Sequence, residues 1–379
     1  MKRILTVIGA RPQIIKAAAI SRAVRDKFAH QVQERILHTG QHYDANMSQV
    51  FFDELGIPQP DYNLGVGSGS HGVQTARMIE GIEQVLQSDR FDGVLLYGDT
   101  NSTLAGAVAA SKIHIPVFHV EAGLRSFNMS MPEEVNRIVC DQLSSILFPP
   151  TETGYRNLMR EGFGDSKATF KDGKHRLVVN SGDVMYDNST YFAAMAHEKS
   201  TILADLGVVP GRYILATIHR PNNTDDPARL TDILSTLVTL AERDRVHLVL
   251  PLHPRTRNLL KTNLSPAVYD RLSTSPFVKV IPPASFFDII VLEKNALIVM
   301  TDSGGVQKES FFFARPCVIL RPETEWVEIV EHGAGIMADA DPQRILSAYD
   351  RLLGTQPVFP PLFGDAHAAE HILDTIVNY

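Results

Sequence analysis

The sequence predicts an α/β fold of two similar domains, each built on a parallel sheet, and three observations carry that prediction. Short apolar runs alternate with helical patterns from end to end. The chain has 379 residues, beyond the ~250–300 at which a single core stops growing. Two successive βα series each open with an apolar strand that runs into Arg-Pro, at Arg11-Pro12 and at Arg220-Pro221. Such alternation implies parallel strands with helices on both faces.

The elements follow in order. Residues 4–8 form a strand-like run, and a helix starts at about Gln13 with Ile14, Ile15, Ala18 and Val24 on one face. Residues 35–37 lead to a helix near 47–55, and a longer helix covers 73–86. The runs 94–97 and 116–120 end at Asp99 and Glu121, and 145–148 ends at Pro149-Pro150. The polar stretch EGFGDSKATFKDGKHR follows, then a short run at 177–179 and a connecting helix after Asp183. The second series uses 213–218, 247–250, 278–281, 297–300 and 317–320. A boundary near residue 170 divides the chain into domains 1–170 and 171–364, with a C-terminal helix within 365–379 after the Pro-rich PVFPPLFGD. The matching strand ends suggest two sheet edges facing a central cleft, where active sites favour domain interfaces.

Composition narrows the function. The apolar fraction of 44% and charged fraction of 21% are those of a soluble globular protein. A net charge of −7 without a basic run argues against nucleic acid or an anionic membrane as partner. Cys140 and Cys317 both lie in apolar contexts, which excludes a disulfide framework and a Cys-ligated metal. The first apolar run is too short for a signal-peptide core, and no segment reaches a membrane span. The expected location is the cytoplasm. The 14 histidines show no H-E-x-x-H spacing, so no metal is assigned and no cofactor is expected.

Three carboxylates stand where buried strands stop: Asp99 in GVLLYGDTNS, Glu121 in PVFHVEAGLR and, at the next helix start, Glu133 in MPEEVNR. Ligands of open parallel sheets bind outside the carboxyl ends of the strands. Acids gathered there repel one another, which raises at least one pKa and suits proton transfer; singly, each also fits a turn former or helix cap. In the second series, ALIVMTDSGGVQKESFF runs from a strand through Ser303, Gly304 and Gly305 into a helix. Glycines let backbone N–H groups approach an anion, and the helix start adds unpaired donors. Glu309 lies a turn further on, where a carboxylate can accept from ribose hydroxyls. Arg11 and Lys16 flank the first helix start, where cations oppose the helix dipole and are placed for phosphate or for solvent. His219 ends the matching strand of the second series; it holds a loop or touches substrate, and His253 in PLHPRTR is a weaker counterpart. Gly67-Ser-Gly69-Ser-His-Gly72 matches a dinucleotide fingerprint literally but follows the polar, Pro-interrupted PQPDYNLGV, so it reads as a loop.

With these motifs in hand, the chain resembles the non-hydrolysing UDP-N-acetylglucosamine 2-epimerase family. VIGARPQIIK, HTGQHYD, YGDTNSTLAG, HVEAGLRS, MPEEVNR, ATIHRP, PLHPRTR and TDSGGVQKE occur in family order across nearly the whole chain. The resemblance implies the GT-B architecture of two Rossmann-like domains, a homodimer, and a C-terminal helix folded back toward the first domain. It implies Asp99, Glu121, Glu133 and His219 as catalytic residues. Arg11, Lys16, Ser303, Gly304, Gly305 and Glu309 are then substrate and UDP contacts. The implied reaction inverts C2 of a UDP-sugar, UDP-N-acetylglucosamine to UDP-N-acetylmannosamine, for bacterial polysaccharide precursor synthesis. The chain departs from the family's T-R-P-E at Ala10-Arg11-Pro12-Gln13, from its Q-E-E at Gln307-Lys308-Glu309 and from its E-R-P-E at Glu325-Trp326-Val327-Glu328. The family's allosteric motifs are altered at Gln41-His42-Tyr43-Asp44 and His219-Arg220-Pro221-Asn222. These variants resemble the branch acting on UDP-2,3-diacetamido-2,3-dideoxyglucuronate. A GT-B glycosyltransferase and a non-catalytic nucleotide-sugar binding module are the rival readings.

Overall fold

A computed structural model describes residues 1–40, 56–164, 170 and 173–379. The helix expected near 47–55 and the Gln41-His42-Tyr43-Asp44 motif lie outside the described residues. The chain forms two compact units, Met1–Asn188 with Pro361–Tyr379, and Ser189–Pro360.

The first unit contains β1 (Lys2–Ile8), β2 (Val32–His38), β3 (Tyr62–Asn63), β4 (Gly93–Tyr97), β5 (Val117–Val120), β6 (Ile146–Phe148) and β7 (Leu177–Val178). They form a parallel sheet in the order β3-β2-β1-β4-β5-β6-β7. All five residues of β4 are buried, as a central strand covered on both faces requires. The helix His71–Ser88 buries Gln74, Met78, Ile82 and Leu86, one residue per turn, while Val73 of the same helix is exposed. Met78, Ile82 and Leu86 join Leu5, Val94 and Leu96 in one core cluster. Each such side chain contributes about 1.5–3 kcal/mol by leaving water.

Two ties hold residues 177–188 to this unit. β7 pairs with β6, and the Asp187 carboxylate accepts from the N–H groups of Ala368 (3.0 Å) and Ala369 (2.8 Å), capping the C-terminal helix Ala368–Asn378. The boundary expected near residue 170 lies upstream of both. The C-terminal helix packs on the helix Arg11–Ala23 within the same unit.

The second unit repeats the plan with β8 (Tyr213–Thr217), β9 (His247–Pro251), β10 (Val278–Ile281), β11 (Ile298–Thr301), β12 (Cys317–Ile319) and β13 (Gly335–Met337). Its parallel sheet runs β10-β9-β8-β11-β12-β13. Helix Pro227–Asp244 buries Leu230, Ile233, Leu234, Leu237, Val238 and Ala241 against it.

Both sheets therefore start at their middle, grow outward one way, then return and grow the other way. Each has a switch point, between β1 and β4 and between β8 and β11, where loops diverge and leave a crevice. A buried polar side chain bridges each one. In the first unit Gln13 accepts from the N–H groups of Gly9 (2.9 Å) and Ala10 (3.2 Å), and donates to the Tyr97 carbonyl (2.9 Å) and the Thr103 hydroxyl (3.0 Å). In the second, the Asp302 carboxylate accepts from the N–H groups of His219 and Arg220, each at 3.1 Å, and from the Asn223 amide at 3.1 Å.

Gln13→Leu keeps the volume and orphans the Gly9 and Ala10 N–H groups. It should lower the free energy of unfolding by about 2–3 kcal/mol in urea titration; an unchanged midpoint would mean that the bridge contributes nothing to the fold.

Candidate active site

The first unit's switch point is built from turns that few residues tolerate. β4 ends in Gly98 at φ +61°. A side chain there would place its Cβ 3.1 Å from Glu121 Oε2 and 3.2 Å from Lys16 Nζ. Glycine is the residue that allows this approach. After β5, Glu121 itself adopts φ +69°, a left-handed conformation that costs roughly 1–2 kcal/mol for a residue with a Cβ. Its N–H is held by the Phe148 carbonyl at 3.1 Å. Strain of this kind, kept by its surroundings, points to function.

The acids are paired with cations. Lys16 pairs with Glu121. Arg137 Nη2 lies 2.6 Å from Asp99 Oδ2, and its Nη1 lies 2.7 Å from Glu134 Oε2. Asn136 adds a 2.8 Å hydrogen bond to the Asp99 carbonyl. Burial raises the Asp99 pKa above the usual aspartate range; Arg137 and Lys16 oppose the rise and Glu121 adds to it. Asp99 thus keeps its proton to higher pH than an ordinary aspartate.

The structure brings Asp99, Glu121 and Lys16 together. Glu133 is exposed in the first turn of the helix Pro132–Leu143, while its neighbour Glu134 is buried. Glu134 accepts from the N–H groups of Ser126 and Phe127, both at 2.9 Å. Burial works to raise its pKa, but these donors and Arg137 outweigh it and hold the carboxyl low. Arg11 is exposed at the start of its helix. Sequence reasoning missed Asn136, Arg137 and Glu134. The signal was present, since Glu134 and Arg137 stand three apart on one helix face.

In the second unit, His219 Nδ1 lies 3.1 Å from the fully buried Asp302. A carboxylate accepts, so Nδ1 carries the proton and, in the neutral ring, the lone pair sits on Nε2. Ser303 caps the helix Gly304–Phe312, its hydroxyl accepting from the Val306 N–H. A Cβ on Gly305 would lie 4.0 Å from Glu309 Oε2, so that carboxylate stands over the glycine turn. A Cβ on Gly304 would meet Glu325 Oε2 at 3.5 Å, Trp326 Nε1 at 3.6 Å and Arg321 Nη1 at 3.9 Å. Arg321 grips Glu325 through two hydrogen bonds of 2.9 and 3.0 Å. Lys308 is buried with its ammonium 4.2 Å from the centre of the Trp326 ring. The two departures of sequence noted at these positions are therefore one cation–π contact.

Two motifs resolve to structural roles. His253 accepts from the Arg255 N–H at 3.3 Å and caps the helix Pro254–Asn263. The glycine-rich segment follows β3, a two-residue edge strand, as a loop over 67–70, and its last residues, His71 and Gly72, open the helix His71–Ser88. Among the described residues, no group of three or more His, Cys, Asp or Glu is placed to hold a metal ion, and no helix is long and apolar enough to cross a membrane.

A family model described as UDP-N-acetylglucosamine 2-epimerase matches residues 26–377. The chain is 46% identical over 377 residues to a Pseudomonas aeruginosa protein named UDP-2,3-diacetamido-2,3-dideoxy-D-glucuronate 2-epimerase, covering 99% of each. It is 39% identical over 370 residues to the UDP-N-acetylglucosamine 2-epimerase of Methanocaldococcus jannaschii, covering 97% of this chain and 96% of the relative. A crystal structure of the Methanocaldococcus jannaschii UDP-GlcNAc 2-epimerase with UDP-GlcNAc and UDP superimposes with a TM-score of 0.82 at 37% identity, covering 100% of both chains.

The pairing of Asp99 with Arg137 makes a direct test. Arg137→Gln removes the cation that opposes the rise in the Asp99 pKa, so that pKa should climb further in carboxyl-carbon NMR titration. No change would show that the guanidinium is not its counter-charge.

Proposed function

The chain belongs to the UDP-N-acetylglucosamine 2-epimerase family and is a UDP-sugar 2-epimerase, an isomerase; on that premise we propose which residues carry the reaction and which sugar it takes. The observation that carries the residue assignment is the pair of cation-matched carboxylates, Asp99 with Arg137 and Glu121 with Lys16, at a parallel-sheet switch point. We assign the proton transfers to the first unit through Asp99, Glu121 and Glu133. We assign the UDP contacts to the second through Ser303, Gly304, Gly305 and Glu309, with His219 as a further catalytic residue and Arg11 and Lys16 as further substrate contacts.

The chemistry requires such a set. C2 of the sugar ring is not next to a carbonyl, so its proton does not simply leave and return. One carboxylate takes the C2 proton, the C–H electron pair forms the C1–C2 double bond, and the C1–O bond breaks toward UDP. The resulting 2-acetamidoglycal is then protonated on the other face of C2 while the UDP oxygen rejoins C1. General acid–base help at each proton transfer contributes about 10²–10⁴-fold, and donors aimed at the leaving diphosphate stabilise its charge. The raised pKa of Asp99 suits it to the donor role in one direction.

For the sugar, we propose the UDP-2,3-diacetamido-2,3-dideoxyglucuronate type. The support is the full-length relative of that name at 46% identity, together with the Lys308–Trp326 contact. Where the family pattern has Glu and Arg, this chain has Lys and Trp, a gain of one positive charge beside the Gly304 turn that favours a more anionic substrate. UDP-N-acetylglucosamine is the second reading, favoured by the Methanocaldococcus jannaschii enzyme. The two buried free thiols, Cys140 and Cys317, support a cytoplasmic enzyme, and the working assembly is proposed to be a homodimer.

Proton NMR with each UDP-sugar in D₂O tests the reading. Deuterium should enter C2 as the epimer forms, and the better sugar should react at least ~10²-fold faster, about 2.7 kcal/mol in transition-state binding. Release of free sugar without deuterated epimer, or comparable rates with both sugars, would overturn it. Asp99→Asn, Glu121→Gln and Glu133→Gln should each slow exchange by ~10²-fold or more, with glycal and UDP released by at least one of them. Near wild-type rates in all three would sink the proton-transfer assignment. Glu309→Ala should weaken UDP binding in calorimetry, and unchanged affinity would remove its ribose role.

A further inference from the structure

Behind the acids lies the histidine that opens the HVEAGLRS motif. His119 sits on β5, two residues before Glu121, with its side chain fully buried. Its Nδ1 lies 2.7 Å from Asp141 Oδ1 and its Nε2 lies 2.8 Å from the carbonyl oxygen of Gly98. A carbonyl oxygen only accepts, so Nε2 must carry a proton. A carboxylate with an imidazole nitrogen at this distance also accepts, so Nδ1 carries the second.

We propose that His119 is a positioning residue: an imidazolium that ties the Gly98 carbonyl to Asp141 and so holds the turns bearing Asp99 and Glu121 in register. The proposal rests on the assignment of those acids to proton transfer. The groups around the ring favour the charge. The Asp141 carboxylate and the Cys140 thiol face it from the helix Pro132–Leu143. Arg125, from the segment after β5, pairs with Asp141 at 2.8 Å and with Glu161 at 2.7 Å. Asp141 also accepts from the Gly123 N–H at 3.2 Å. Burial works against the charge, while the Asp141 carboxylate favours it and pushes the ring's pKa upward. Asp141 is held below the ordinary aspartate value, burial being outweighed by His119 and Arg125. Both shifts favour the ionised pair.

The consequence is geometric. Gly98 must adopt its left-handed turn with its Cα against the Lys16–Glu121 pair, and Asp99 follows it directly. A carbonyl fixed at Gly98 sets the direction in which Asp99 leaves β4. The same side chain, anchored on β5, fixes the strand that delivers Glu121. A displacement of about 1 Å in such a constellation costs on the order of 10²-fold in rate.

The test uses the full chain labelled with ring ¹⁵N-histidine. At pH 9 one histidine should still show two ring N–H signals, both absent from His119→Gln. That variant should exchange the C2 proton of the substrate ~10-fold or more slowly, with its affinity for UDP within about twofold of wild type, because the nucleotide contacts are assigned elsewhere. A His119 ring with one N–H at pH 9, or His119→Gln with wild-type exchange, would overturn the proposal. If the variant does not fold, the wild-type spectrum still decides. Absence of C2 exchange in the wild-type protein would instead remove the proton-transfer reading and leave the ring's charge state as a separate result.

Discussion

The buried guanidinium of Arg137 is the contact on which the first unit's site depends. It joins Glu134, which holds the loop at Ser126 and Phe127, to Asp99 at the end of β4. One residue earlier, Asn136 holds the Asp99 backbone. A buried charge stripped of its partner costs about 3–5 kcal/mol, a penalty that falls on Glu134, which is 1% exposed, while Asp99 would lose its nearest counter-charge. The helix Pro132–Leu143 therefore supplies more than its first-turn acid. It carries the counter-charge, the backbone tie and, a turn later, the Asp141 that faces His119.

The two units solve opposite electrostatic problems at the same topological position. At the first switch point two carboxylates must stay close, and Lys16 and Arg137 provide the positive charge that permits it. At the second, the glycine pair at a helix start supplies donors without side chains in the way. Its buried Asp302 is spent on the N–H groups of His219 and Arg220, not on solvent. Proton transfer needs titratable groups held against their preference; diphosphate binding needs donors that do not titrate. On the proposed assignment the same strand order serves both, because the crevice belongs to the sheet while the chemistry belongs to the residues placed at it.

The contact between Lys308 and Trp326 changes the meaning of two departures from the family pattern. Taken separately, an added lysine suggests a surface cation and an added tryptophan an apolar patch. Stacked together and buried, they form one unit beside Gly304. In the proposed substrate choice they act through the charge and shape of the glycine turn, since Lys308 is 3% exposed.

The sequence by itself determined the βα alternation, the strand-end positions of Asp99, Glu121 and His219, and the glycine turn at Ser303–Gly305. Those features follow from local rules: apolar runs set strands, and glycine or a polar residue ends them. Glu133 shows where local rules stop, since sequence marked that acid of the pair, whereas the buried one beside it is Glu134. Only the tertiary structure decided which cation meets which acid. Lys16 and Glu121 are 105 residues apart, Asn136 and Asp99 are 37 apart, and His119 and Asp141 are 22 apart. Parallel strands need crossover connections, so the strand ends that meet in space come from distant segments. Their partners are fixed by strand order and register, which no local pattern encodes.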